Sequence, residues 1–110
     1  MLVPHIARHP ARYLGTRIAE TGQPLALGRL TEPGDCTLWL DEGGIHFQRP
    51  GATPQLLPRR CLRKAELRRQ GLARVVDVTW AGAGQDLWIS RFTATTTEWP
   101  SAVEKLIAAL

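Results

Sequence analysis

Cys61 stands in the run RRCLR, beside Arg59, Arg60 and Arg63. Positive charge next to a thiol favours the thiolate, the form that acts as a nucleophile. Catalysis would also need a base to take the proton and donors to hold an oxyanion, and no histidine lies near Cys61 in the sequence. His5 and His9 have the i, i+4 spacing by which one helical turn presents two imidazoles to zinc. Pro4 and Pro10 flank them, His46 is remote, and Cys36 and Cys61 lack the C-x-x-C pairing of a structural zinc site. A solvated N-terminal tail is the better reading. Asp41 and Glu42 are adjacent carboxylates ahead of Gly43 and Gly44, a pattern that a turn explains. The glycine-rich AGAGQD at 81–86 has no phosphate-loop lysine and reads as a hairpin turn. These residues predict a chain that is not an enzyme, with no cofactor, no metal and no small-molecule substrate.

The remaining chemistry is charge. The stretch RRCLRKAELRRQGLAR, residues 59–74, holds seven of the fourteen basic residues against the single acid Glu66. Its cations, Arg59, Arg60, Arg63, Lys64, Arg68, Arg69 and Arg74, suit an anionic partner: a membrane surface, an acidic protein or nucleic acid. No aromatic residue interleaves them, so base stacking is not offered and nucleic acid is the lesser expectation. A basic edge strand also needs no ligand, since Lys and Arg on an edge discourage edge-to-edge aggregation. A net charge of +4 is compatible with each of these.

At 110 residues, 44% hydrophobic and 22% charged, the chain has the size and composition of one globular domain. No apolar run approaches the ~18 residues of a membrane span, and two cysteines without a signal-like leader point to free thiols in a reducing, cytoplasmic setting. Alternation marks strands. Cys36, Leu38 and Leu40 share one face of CTLWLD, and Ile45 and Phe47 share one face of IHFQR after the turn EGG, giving a first hairpin. Val76, Val78 and Trp80 share a face of RVVDVTW, and DLWISRF sets Leu87 and Ile89 against Trp88 and Ser90, giving a second. RYLGTRIAE and PLALGRLTE are weaker strands, each with a glycine at a bend or bulge. PGATPQLLP is a turn leading to a short apolar edge.

LRKAELRRQ is rich in helix formers, yet its apolar stripe is too narrow for a packed helix. Ala65, Leu67 and Arg69 fit one face of an exposed strand, which is the preferred reading. At the end of the chain, Trp99, Val103, Leu106, Ile107 and Leu110 line one face of a helix over 98–110, with Thr97 as its cap and Pro100 in its first turn. Trp80 and Trp99 then belong to the core. Trp39 and Trp88 fall opposite their strands' Leu and Ile, which makes them interface aromatics or places them under the N-terminal segment.

Hairpin-rich antiparallel sheets followed by one amphipathic helix resemble a pleckstrin-homology-like (PH-like) fold. The sequence is similar to the bacterial PH-like domain of the actinobacterial type: YLGT at 13–16, TLWLDEGGIHFQR at 37–49, LLPRRCLRKAELRRQGLAR at 56–74 with its proline-led edge, VVDVTW at 75–80 and the closing EWPSAVEKLIAAL. The chain departs from that group in having ETGQP where a tryptophan and aspartate often follow the opening motif, and in a start, MLVPHIARHPA, too short and polar for the group's frequent membrane helix. The resemblance implies a mainly β, PH-like antiparallel β-sandwich or partly open barrel over 13–110, capped by the C-terminal α-helix, after a flexible segment 1–12. It brings no catalytic residues. It implies a binding or scaffolding module whose partner is a protein or an anionic membrane surface, with a small basic nucleic-acid-binding protein as the alternative. The inner face of the membrane is then one place to find it.

Overall fold

A computed structural model describes residues 4–24, 33–82, 84, 86–94 and 96–109. Its elements run β1 (Ile6–Ile18), β2 (Gly34–Asp41), β3 (Gly44–Gln48), β4 (Gln55–Pro58), one 3-10 turn (Arg59–Cys61), β5 (Leu62–Gln70), β6 (Ala73–Ala81), β7 (Leu87–Thr93) and α1 (Trp99–Ala108). The seven strands form one antiparallel sheet in the order β4-β3-β2-β1-β7-β6-β5. Strands β4 and β5 end the order and are not paired with one another, so the barrel is open.

Strand β1 makes the sheet fold onto itself. Its first half pairs with β2, from Ile6 opposite Leu40 to Tyr13 opposite Gly34. Its second half pairs with β7, from Tyr13 opposite Phe92 to Ile18 opposite Trp88. The register shifts between Tyr13 and Thr16, where Gly15 has φ +110°. A left-handed glycine at a bulge bends a strand, and here it hands the ladder from one layer to the other. The YLGT motif thus sits at the corner of the sandwich. Residues 6–12, expected in a flexible segment, are the first half of this strand; their ladder with β2 compensates for their weak strand propensity.

The two layers enclose one core. Leu38, Leu40, Ile45, Phe47 and Leu57 come from the first layer, and Leu62, Ala65, Val76, Val78, Trp80, Trp88 and Phe92 from the second. The rings of Tyr13, Phe47 and Phe92 meet at the seam, with centroids 5.1, 5.2 and 5.4 Å apart. The first hairpin closes tightly: Gly44 has φ +129°, and a Cβ there would meet the Leu57 carbonyl oxygen at 2.2 Å. Only glycine lets β3 approach β4 so closely.

Helix α1 buries Trp99, Ala102, Val103 and Leu106 and packs mainly against β5. Its N-cap is Glu98, and no side chain caps it; the expected cap, Thr97, is exposed. Pro100 carries no N–H, so the first turn has one donor fewer to satisfy. Leu110 and most of PLALGRLTE lie outside the described residues.

Candidate functional site

The basic run forms a strand, and pleating distributes its cations over different surroundings. Arg59, in the 3-10 turn, donates from Nε to the carbonyl of Leu106 at 3.1 Å. A cation there satisfies one of the carbonyls left open in the last turn of α1 and opposes the negative end of its dipole. Arg63 donates to the carbonyls of Arg60 and Leu62, at 3.0 and 3.2 Å, and so fixes the start of β5. Arg59 and Arg63 therefore support the fold.

Further along β5, the face turned away from the core carries an ion network. Glu66 lies between Lys64 and Arg68, at 2.8 Å from each, and is paired across the ladder with Asp77. Asp77 is 4% exposed. Arg91 grips it through two hydrogen bonds of 2.7 and 2.9 Å, while Arg17 and Arg68 reach its Oδ2 at 3.1 and 3.3 Å. Burial alone would raise the Asp77 carboxyl; hydrogen bonds from Arg91 and Arg17, with their charges, outweigh it and hold the group below the ordinary aspartate value. Glu66 is lowered chiefly by its hydrogen bond from Lys64, then by the charge of Arg68.

The end of the β5–β6 hairpin differs. Arg69 lies directly opposite Arg74, and all residues from 67 to 74 are exposed. Like charges facing one another across a ladder are unfavourable. Among the described residues neither guanidinium has a hydrogen-bond or ion-pair partner, and the same is true of Arg60. An open groove of about 320 Å³ beside them is lined by Leu67, Arg68, Arg69, Arg74 and Thr97. The turn presents Leu72, with relative exposure 106%. The seven cations thus separate into Arg59, Arg63, Lys64 and Arg68, which bind other parts of the fold, and three without a partner among the described residues: Arg69 and Arg74 at the tip and Arg60 in the 3-10 turn.

The two tryptophans expected either at an interface or under the N-terminal segment are both 8% exposed. Trp88 is a core residue, edge-on to Trp80 with centroids 4.9 Å apart. Strand β7 has the phase opposite to that expected from Leu87 and Ile89: Trp88, Ser90 and Phe92 point inward, while Leu87 is exposed. Buried Ser90 is tolerated because Trp80 Nε1 donates to it at 2.9 Å and Thr16 Oγ1 lies 2.7 Å away, in a chain that continues to Tyr13. Phe92, two residues beyond Ser90, carried the correct phase. Trp39 does leave the core face, but its own chain covers it. His46, its partner across the ladder, stacks on it at 4.9 Å, and Arg8 sits 4.0 Å from its ring centroid. Arg8 lies within the register shift of β1 between Ile6 and His9, and that bulge brings it over the indole.

The other candidates do not converge. His9 donates from Nδ1 to the carbonyl of Ala7, on a strand rather than on the helical turn that i, i+4 spacing would require. His46 donates to Asp41 at 2.7 Å. Burial raises the Asp41 carboxyl, but that bond and the Gly43 N–H outweigh it and lower the group overall. Among the described residues no three His, Cys, Asp or Glu side chains gather as metal ligands. Both cysteines are free; Cys36 is buried, and burial pushes its thiol up. Between β6 and β7, Gly82 N–H donates to the Asp86 carbonyl at 3.1 Å; Ala83 and Gln85 lie outside the described residues. No described helix is long and apolar enough to cross a membrane. No protein-family model and no curated protein matches the chain.

Proposed function

We propose that this chain is a non-catalytic binding or scaffolding module, kin to the bacterial PH-like domains, that engages an anionic surface on a membrane or a partner protein. The observation that carries the reading is the unpaired, solvent-facing rung of Arg69 and Arg74 at the end of the β5–β6 hairpin. Cations that have no hydrogen-bond or ion-pair partner among the described residues and oppose one another are unfavourable in the free protein, and an anion between them removes that repulsion. Strand order and the capping helix support the kinship. As a strand, residues 62–70 of the basic run offer no recognition helix, which favours this reading over the nucleic-acid alternative.

The test is cosedimentation with neutral and anionic vesicles at ~50 and ~300 mM salt, with acidic peptide and DNA duplex as competitors. Arg69→Glu with Arg74→Glu is expected to reduce binding at least tenfold, and Arg60→Glu with Arg63→Glu to reduce it less. Equal loss from both pairs would place the contact along the whole strand. No salt-sensitive binding to any anionic probe would end this reading.

A further inference from the structure

The end of the β5–β6 hairpin carries a residue that the fold does not use. The β6–β7 ladder runs out at Val75 opposite Thr93, with one further bond from Ala94 N–H to the Arg74 carbonyl at 3.0 Å, so beyond Arg74 the rung of Gln70 with Ala73 has only itself. The turn between them has Gly71 at φ +62° in its first central position, the place where two-residue hairpins of the II′ kind favour glycine. The second central position asks for nothing apolar, yet it holds Leu72, which is fully exposed. Leu67, on the same hairpin, is 37% exposed. Residues 67–76 contain three arginines and no acid. That rung and the turn extend roughly 7 Å past the last bond to the rest of the sheet, at about 3.3 Å per residue.

We propose that this hairpin is a membrane-docking tip: Leu72 enters the acyl boundary of an anionic bilayer while Arg69 and Arg74, with Arg68 behind them, lie level with the lipid phosphates. The inference rests on the anionic-surface reading above and selects the bilayer from the surfaces it allows. A convex tip bearing one leucine among arginines matches a headgroup layer roughly 5–10 Å deep, which offers phosphate to the cations and hydrocarbon just beneath. An acidic protein or a nucleic-acid backbone satisfies the arginines but gives the projecting leucine no apolar environment. Docking by the tip stands the hairpin upright on the membrane.

The experiment uses phosphatidylcholine vesicles with ~30 mol% phosphatidylserine, with wild type, Leu72→Ser and Leu72→Trp compared at ~50 and ~300 mM salt. Wild type is expected to bind, and Leu72→Ser to bind about tenfold more weakly at both salt concentrations, because burial of a leucine side chain is not screened by ions. Leu72→Trp is expected to bind as wild type, and its emission to be quenched by lipids brominated on the acyl chains. The four native indoles, 0–8% exposed, give a low background for that measurement. Undiminished binding by Leu72→Ser, or an unquenched Leu72→Trp, overturns insertion while leaving the anionic-surface reading intact. Wild type that ignores vesicles but binds acidic peptide overturns membrane docking and keeps that reading, whereas binding to duplex alone overturns both in favour of nucleic acid. Binding to none of the three overturns both.

Discussion

Asp77 holds together more of the outer surface than any other single side chain described. It is nearly buried beneath Arg17, Arg68 and Arg91, whose side chains are 32, 53 and 25% exposed. Replacing it by Asn would leave Arg17 and Arg91 without this counter-ion, while Arg68 keeps Glu66. Because those guanidiniums reach solvent, the loss falls short of that for a fully buried pair: about 2–3 kcal/mol by urea denaturation at neutral pH. The carboxyl titrates lower in the folded chain than in the unfolded one, so its contribution is complete above about pH 4 and is lost as pH falls through the folded value. The stability difference between wild type and Asp77→Asn should therefore shrink on acidification below about pH 4; a constant difference would show that the ion network does not act through charge. Gly44 makes a different demand. With φ +129° and the Leu57 carbonyl in the way, Gly44→Ala should cost at least ~2 kcal/mol in the same measurement and separate β3 from β4.

The elements answer to packing more than to local preference. LRKAELRRQ has the composition of a helix and is a strand, because β6 supplies a ladder from Leu62 to Gln70 and α1 packs against it. Only Leu62 and Ala65 of its nine residues are buried, so the strand depends on that ladder and on the helix that caps its inner side. Leu106, with no exposed surface, is the deepest contact of the last turns of α1. Leu106→Ala should destabilise by roughly 2–5 kcal/mol, measured by thermal or urea unfolding. Unchanged stability would mean that the helix does not close the sandwich. Arg59 reinforces the same junction by binding the Leu106 carbonyl, which ties the start of the basic run to the end of the chain.

Across the whole molecule, sharing β1 between both layers makes the two hairpin sets one cooperative unit. Tyr13, Phe47 and Phe92 come from β1, β3 and β7, and their rings meet where the ladder changes partner. Phe92→Ala should cost roughly 3–5 kcal/mol, and far-UV circular dichroism and tryptophan fluorescence should report one coincident transition in wild type and variant alike. Separate transitions would show that β2, β3 and β4 hold together without β5, β6 and β7. The same architecture leaves two free edges: β4 is short, and β5 carries the arginines and lysine that oppose pairing with another chain. Deterrence from aggregation and attraction to anions are thus compatible roles for one strand, with different residues leading each.

Much of this was legible in the amino-acid order. The inward faces of β2, β3 and β6, the turn at Glu42 and Gly43, the apolar stripe of α1 and the bend at Gly15 all follow from local periodicity and from glycine's freedom at positive φ. Those rules act between near neighbours. Alternation alone could not settle which face of β7 is inside, because Leu87 and Ile89 look more apolar than Trp88 and Ser90 until Thr16 and Trp80 supply hydrogen bonds to the buried hydroxyl. The fates of Trp39 and Trp88, the strand character of residues 6–12 and the division of the seven cations into those that bind the fold and those without a described partner were likewise decided by tertiary structure. Each depends on contacts between segments far apart in the chain, and the physical consequence of burying or pairing a side chain is set by what the fold brings beside it.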